Sequence, residues 1–162
     1  MIIYTSIIEV NNQVYKIMNY QAEITVPVTR KIAYTAIAED MSIWWTEMSA
    51  RFLKIGDKAK TDFGGKSYWV FEAITLDEHK LVELRCCEAN HIHEGMSSDI
   101  KEEWLDTVLS FAIEPAHEGT SITLTHNGLN RDLLCYDICQ AGWDHYFCQE
   151  LKTYLTNKGK QS

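Results

Sequence analysis

The segment AGWDHYFCQELKTYLTNKG, residues 141–159, decides the fold of this 162-residue chain. Four of its apolar side chains fall within about 80° of one another on a wheel of 100° per residue. They are Trp143, Phe147, Leu151 and Tyr154. The spacing predicts an amphipathic helix over residues 141–158, and Gly159 is in position to cap its C-terminus. Such a helix needs an apolar surface to cover its stripe.

Segments rich in β-forming residues precede this helix and supply that surface. The predicted strands are residues 21–26, 58–63, 67–75, 80–88, 103–113 and 120–126. Several alternate apolar and polar residues, as half-buried strands do. Gly64 and Gly65 form a glycine pair that permits the positive φ angles of a hairpin turn. Because the connections are short, neighbouring strands are expected to be antiparallel.

Two short helices are predicted directly after the first strand. Pro27 ends that strand, residues 29–38 have a helical composition, and residues 39–45 continue as a second helix ending in Trp44 and Trp45. Adjacent residues of a helix point about 100° apart, so one tryptophan is expected in the core and the other partly exposed. The predicted fold is α+β, a curved antiparallel sheet wrapped around a long C-terminal helix.

The bulk composition fits a single globular domain. Residues are 46% hydrophobic and 23% charged, and no linker or low-complexity run divides the chain. We assign residues 18–162 to one domain and residues 1–17 to an N-terminal extension. That extension is either poorly ordered or an added strand, and the sequence leaves both open.

Charge and hydropathy exclude several classes of partner. The net charge of -8 disfavours a nucleic-acid surface, which needs clustered Lys and Arg. No run of about 20 apolar residues predicts a membrane span, and the N-terminus lacks the basic leader of a signal peptide. The five cysteines show no CxxC spacing and are expected to be reduced thiols. These features predict a cytoplasmic protein, and no pattern indicates an oligomeric state.

Four segments carry a resemblance to a known family. They are ITVPV (residues 24–28), IWW (43–45), GTSITLTHNGL (119–129) and GW (142–143) followed by LKTYL (151–155). With the order of elements, they make residues 20–159 resemble the START-type, or SRPBCC, superfamily, whose members are Bet v 1-like. The chain is most similar to the branch of the activator of the 90-kDa heat-shock protein ATPase. This resemblance implies the helix-grip fold and a cavity between helix and sheet.

The cavity implied by the resemblance would bind a small hydrophobic or amphipathic molecule, such as a lipid. The candidate ligand-binding residues are Trp44, Trp45, Leu84, Leu105, Thr107, Leu109, Leu124, His126, Trp143, Phe147 and Glu150. Glu150 projects about 20° from Trp143 on the wheel, inside the apolar stripe. A buried carboxylate is costly unless paired, so Glu150 either swings to the groove edge or anchors a ligand.

Three further observations concern chemistry. His126 lies on the apolar face of its strand, where a hydrogen-bonded core histidine is the commoner outcome than a catalyst. His91, His93 and Glu94 form an HxHE cluster in a loop, but no third ligand has convincing spacing, and Cys135 and Cys139 complete no recognisable zinc pattern. No metal and no cofactor is predicted. No catalytic motif is present either.

Three functions therefore compete. The leading hypothesis is non-enzymatic binding of a hydrophobic ligand. The first alternative is a co-chaperone-like domain of the stress response, with a chaperone as partner, a filled core and an exposed apolar patch. The second alternative is an enzyme of the cyclase or hydrolase kind that uses His126 and Glu150 as acid and base, which requires the two side chains to meet.

Overall fold

The structure, a computed structural model, describes residues 4–10 and 13–161. The strands are β1 Tyr4–Val10, β2 Gln13–Met18, β3 Tyr20–Val26, β4 Glu47–Met48, β5 Lys58–Asp62, β6 Tyr68–Asp77, β7 Leu81–Asn90, β8 Val108–Ala116 and β9 Gly119–Asn127. The helices are α1 Arg30–Ala38, α2 Met41–Trp44, α3 Tyr136–His145 and α4 Lys152–Lys160, with a π turn over Tyr146–Leu151 joining the last two. A 3-10 turn covers Ser98–Ile100.

Strands β3 to β9 form one antiparallel sheet in the order β3-β9-β8-β7-β6-β5-β4. Along the chain, β3 is the first strand of this sheet and β9 is the last, and these two strands pair with each other. The short helices α1 and α2 connect β3 to β4, which lies at the opposite edge of the sheet. The sheet curls around the helix that runs from Tyr136 to Lys160. The predicted α+β helix-grip fold, with two short helices after the first strand, is confirmed.

Strands β1 and β2 pair with each other in a separate two-stranded antiparallel sheet. They occupy most of the segment assigned to an N-terminal extension. The division into an extension over residues 1–17 and a domain over residues 18–162 stays a prediction.

Strand β8 begins five residues later than expected. The prediction was residues 103–113, but residues 101–106 form turns, in which Leu105 donates its backbone N–H to the carbonyl of Glu102 at 3.0 Å. Asp106 has a φ of 66°, a left-handed conformation that interrupts extended backbone. Leu105, placed on the inward face by strand alternation, is consequently 39% exposed. Leu105 thus lies in a turn and is not among the residues that line the cleft described below.

The C-terminal helix starts earlier and is less regular than expected. Besides Cys139 in its first turn, its buried residues are Trp143, Phe147, Leu151 and Leu155, so Leu155 replaces the predicted Tyr154 in the stripe. A spacing of four drifts by about 40° per step in a regular α-helix. The π turn includes an extra residue per turn and cancels part of that drift, which keeps the four side chains on one face.

Gly159 lies inside α4 rather than at a C-terminal cap. A Cβ atom there would clash with the backbone carbonyl oxygen of Pro27. The glycine therefore allows the helix end to approach the loop after β3. Within the described residues, no helix is both long and apolar enough to cross a membrane.

Candidate functional site

A cleft opens between the first half of the C-terminal helix and the β5–β6 end of the sheet. Its volume is about 560 Å³. It is lined by Trp45, Phe63, Gly65, Lys66, Ser67, Trp69, His91, Ile92, His93, Trp104, Ile138, Cys139, Gly142, Trp143 and Tyr146. The mouth includes exposed side chains such as Ile92, at 52% exposure, whereas the inner walls are buried. This size is within the usual range for small-molecule sites.

Four tryptophans form the inner walls of the cleft, and their rings are layered. The rings of Trp69 and Trp104 stack with centroids 4.5 Å apart, and those of Trp45 and Trp143 with centroids 5.0 Å apart. Trp104 and Trp143 are nearly parallel, at 10°, with centroids 6.1 Å apart. We call Trp45, Trp69, Trp104 and Trp143 the indole walls. Because these large, rigid rings are packed against one another, they do not readily move to fill the cleft.

Both Trp44 and Trp45 are buried, at 2% and 8% exposure, so the expectation that one would be partly exposed is wrong. Helix α2 ends at Trp44, and Trp45 has a φ of -102° and a ψ of -98°, outside the helical region. The 100° rule for adjacent helical residues therefore does not apply. Trp44 turns into the core, where its Nε1 donates to the carbonyl of Ala36 at 2.9 Å, and Trp45 turns into the cleft.

His126 lies directly behind the indole walls in a hydrogen-bond chain. Trp143 Nε1 donates to His126 Nδ1 at 3.1 Å, and His126 Nε2 is 2.8 Å from Thr107 Oγ1. Thr107 uses its only hydroxyl hydrogen on the carbonyl of Trp104, at 2.6 Å. His126 Nε2 must therefore donate to Thr107, which assigns the neutral Nε2–H tautomer from the network.

Burial lowers the pKa of His126 to about 3. The side chain is fully buried and both ring nitrogens are occupied. Protonation would place a hydrogen on Nδ1 facing the indole N–H of Trp143. His126 is thus a neutral core histidine that connects β9, the segment before β8 and the C-terminal helix.

Glu150 does not lie in the apolar stripe. Its side chain is 52% exposed and its Oε1 is 3.8 Å from His145 Nε2. The π turn explains why Glu150 is not in the stripe. Because this turn contains an extra residue, Glu150 is rotated less far around the helix axis than it would be in a regular α-helix. Glu150 is on the solvent side and His126 is inside the core, so the structure does not bring this proposed acid–base pair together.

The other candidate wall residues lie in a filled part of the core. Leu84, Leu109, Leu124 and Phe147 are fully buried, and Thr107 is committed to the His126 chain. Of the candidates, only Trp45 and Trp143 line the cleft. The cleft therefore lies toward one end of the helix rather than along its whole length.

Sequence reasoning missed most of the cleft lining. Trp69 alternates with Phe71 on the inward face of β6, a signal that strand periodicity carries. Trp104 could not be found in this way, because it stands in the turn before β8, where strand periodicity does not apply. Phe63 and Tyr146 flank the cleft at 37% and intermediate exposure, with ring centroids 6.5 Å apart.

Beside the cleft, His91 lies with Cys135 and Cys139 rather than in a cluster with His93 and Glu94. His93 and Glu94 are exposed, whereas His91 and both thiols are buried. A hydrogen bond with Cys139 and burial raise the pKa of the Cys135 thiol. The sequence places His91 more than forty residues from these thiols, and only the fold brings them together.

Comparison with known proteins identifies the fold. No family model and no curated protein matches this sequence. The solution structure of the Aha1 dimer from Colwellia psychrerythraea is 23% identical, with a TM-score of 0.68 over 85% of this chain and 96% of that one. An HSP90 activator from Plasmodium falciparum is 15% identical, with a TM-score of 0.60 over 85% of this chain and 96% of that one.

A third similar structure is DynU16, a protein of the dynemicin biosynthetic locus. It is 16% identical, with a TM-score of 0.64 over 83% of this chain and 46% of that one. Proteins of different roles thus share this architecture, which is why the fold alone does not assign a function. The chain shares the helix-grip fold of these structures.

Proposed function

We propose that this protein binds a small, flat, amphipathic molecule in the aromatic cleft and does not catalyse a reaction on it. The observation that carries the proposal is the cleft itself, about 560 Å³ of space bordered by the indole walls. Parallel indole faces suit a planar apolar ligand, which would gain stacking contacts in addition to area burial. Burial of about 200 Å² of apolar ligand surface would contribute about 5 kcal/mol before the entropic cost of association.

Unpaired donors support a ligand with a polar end. Within the described residues, the indole N–H groups of Trp69 and Trp104 are buried and have no protein acceptor. A buried donor without a partner is costly, and an acceptor atom on a ligand would satisfy it. Both tryptophans line the cleft, so an oxygen or aromatic nitrogen of the ligand is a suitable partner.

The charge of the side chains that line the cleft also favours a ligand with a polar end. The chain as a whole carries a net charge of -8, yet the described residues that line the cleft include Lys66, His91 and His93 and no Asp or Glu. A ligand with a carboxylate or another acceptor at its exposed end would meet a locally favourable potential. We therefore expect anionic amphipaths to bind more tightly than cationic ones of the same size.

A glycine in the cleft allows a direct test. Gly142 lies on α3, has no positive φ, and a Cβ atom there would meet nothing within 4 Å. Gly142→Leu should fill the cleft while the helix becomes more stable by up to about 1 kcal/mol, since Gly is a poor helix former. Asn157→Leu, on the exposed side of α4, is the matched control because it adds the same side chain away from the cleft.

Binding of anilinonaphthalene sulfonate, a flat aromatic anionic amphipath, is measured by quenching of tryptophan fluorescence. Native mass spectrometry of protein purified from its host detects any species that remains bound. We expect saturable binding to the wild type and to Asn157→Leu, and at least a tenfold loss in Gly142→Leu. Equal binding by all three proteins, or no bound species with any probe, would contradict the proposal.

Contact with a chaperone is the second candidate function. Its support is the fold shared with the Plasmodium falciparum HSP90 activator and the filled core beneath most of the C-terminal helix. A pull-down with the host 90-kDa chaperone separates the two functions. Retention of the chaperone by Gly142→Leu, together with loss of small-molecule binding, would show that the surface rather than the cleft carries the interaction.

A further inference from the structure

Three metal-ligating side chains converge at the inner end of the cleft. His91 follows β7, whereas Cys135 and Cys139 are one turn apart at the start of α3. The imidazole nitrogen and the two sulfurs all lie within 4.8 Å of one another. Their exposed fractions are 6% for His91, 0% for Cys135 and 7% for Cys139. We call these three residues the Cys2His cluster.

Backbone contacts hold each member of the cluster in place. His91 N–H donates to the carbonyl of Lys101 at 2.9 Å, and its ring packs on Trp69 with centroids 5.0 Å apart. The backbone N–H of Cys139 donates to the carbonyl of Cys135 at 2.9 Å, so both sulfurs lie on one face of the helix. The cluster therefore rests on ordered backbone at both sides rather than on an exposed loop.

Glu103 supports the cluster from behind. Its two carboxylate oxygens accept the backbone N–H groups of Leu134 and Cys135, at 2.8 Å and 2.9 Å. This carboxylate fixes the start of the helix that carries both thiols, and it also places a negative charge near the site. Carboxylates that hydrogen-bond to the segments carrying metal ligands commonly position those ligands in this way.

A second observation points independently to a ligand at this place. Among the described residues, His91 Nδ1 is one of the few buried side-chain nitrogens with no hydrogen-bond partner. Both cysteines are free rather than joined in a disulfide. A buried polar atom without a partner lowers stability, so its presence calls for a group that binds it.

We propose that His91, Cys135 and Cys139 bind a thiophilic metal ion, zinc in particular, in a three-ligand site. Two thiolates and one imidazole are a common ligand set for Zn²⁺. Bond lengths of about 2.3 Å to sulfur and 2.0–2.1 Å to nitrogen in a tetrahedral site place the donor atoms about 3.5–3.8 Å apart. The cluster reaches this by small side-chain rotations. Binding releases one proton from each thiol to the solvent.

The fourth coordination position faces the cleft. His91 and Cys139 line the cleft, whereas Cys135 is fully buried behind them, so the cleft is the side from which a water molecule or a ligand atom reaches the ion. Three protein ligands with an accessible fourth position differ from the closed four-ligand sites of structural zinc domains. The metal site does not depend on the organic ligand proposed above, and each can be tested without the other.

The test uses the full chain, reduced and stripped of metal. Zinc binding is measured by competition with a chromophoric chelator, and Co²⁺ is used as a spectroscopic probe of the ligand set. We expect one ion per chain, with a thiolate-to-cobalt charge-transfer band and the intense visible bands of a tetrahedral site. Cys139→Ser and His91→Gln should each weaken zinc binding by about 100-fold or more.

Cys148→Ser and His117→Gln are the matched controls, since they remove a thiol and an imidazole outside the cluster and outside the cleft and should leave binding unchanged. Circular dichroism shows whether each variant is folded, and the wild-type result does not depend on any variant. Absence of stoichiometric zinc binding and of the thiolate–cobalt band in the wild type would overturn the proposal. An equal loss in the control variants would also overturn it.

Discussion

The two halves of the C-terminal helix pack on the same sheet, but the second half forms a filled core whereas the first half leaves a cleft. In the second half, Phe147, Leu151 and Leu155 fit against β-strand residues and leave a filled core. In the first half, Trp143 stacks with two of the other three tryptophans of the indole walls, Trp45 and Trp104, and a cleft of about 560 Å³ remains. Branched aliphatic side chains interdigitate to fill space, whereas planar rings stack in layers and leave gaps at their edges.

This contrast separates stability from recognition within one element. The filled half buries Phe147, Leu151 and Leu155 against the sheet. The cleft half faces the unpaired indole donors of Trp69 and Trp104 and supplies the two thiols of the Cys2His cluster, features that a purely structural contact does not need. We therefore expect substitutions in the two halves to affect different measurements.

The largest effect on stability is expected from Phe147→Ala in the filled half. Phe147 is fully buried, so its removal leaves a cavity and should lower the free energy of unfolding by about 3–5 kcal/mol. Tyr146→Ala, the adjacent residue at the cleft, should lower it by only about 1 kcal/mol. Urea unfolding of both variants measures the difference. Equal losses would mean that the two halves of the helix are not energetically distinct.

A pH-dependent effect of intermediate size is expected from His126, which is hydrogen-bonded to Trp143 in the cleft half. Its pKa of about 3 in the folded state is below the usual 6.5 of an unfolded chain, so the unfolded state binds the extra proton between these values. The contribution of neutral His126 to the free energy of unfolding is then fully present above pH 6.5. It decreases by about 1.4 kcal/mol per pH unit as the pH falls toward 3.

His126→Gln removes this titration and serves as the comparison. Urea unfolding at pH 7 and pH 5 should show the wild type losing about 2 kcal/mol more than the variant between the two values. Other ionisable groups are common to both proteins and largely cancel. A stability difference that is the same at both pH values would contradict the neutral, fully bonded histidine.

The smallest effect is expected at Glu150, which sequence periodicity placed among the ligand contacts. Its pairing with His145 is on the surface, so Glu150→Gln should change the free energy of unfolding by less than about 0.5 kcal/mol. Binding of anilinonaphthalene sulfonate should also be unchanged. A tenfold loss of binding would instead place this carboxylate in the ligand site and contradict the position assigned by the π turn.

Sequence patterns located most elements but misplaced those that depend on distant contacts. The apolar stripe predicts that the C-terminal helix begins at about residue 141, whereas it begins at Tyr136. The carboxylate of Glu103, more than thirty residues away, holds the backbone of Leu134 and Cys135 just before this start. Likewise, the π turn has no local signal, and it is what moves Glu150 and Tyr154 out of the stripe and Leu155 into it.

The sequence by itself determined the class of fold. Alternation along the strands and helical spacing after residue 141 are local consequences of backbone geometry, and they require one apolar face on each element. Tertiary structure alone decided where the core is solid and where it opens. That outcome depends on how Trp45, Trp69, Trp104 and Trp143 meet, and on which histidine reaches the two thiols. Packing of side chains from distant segments has no local pattern, so only the folded chain shows it.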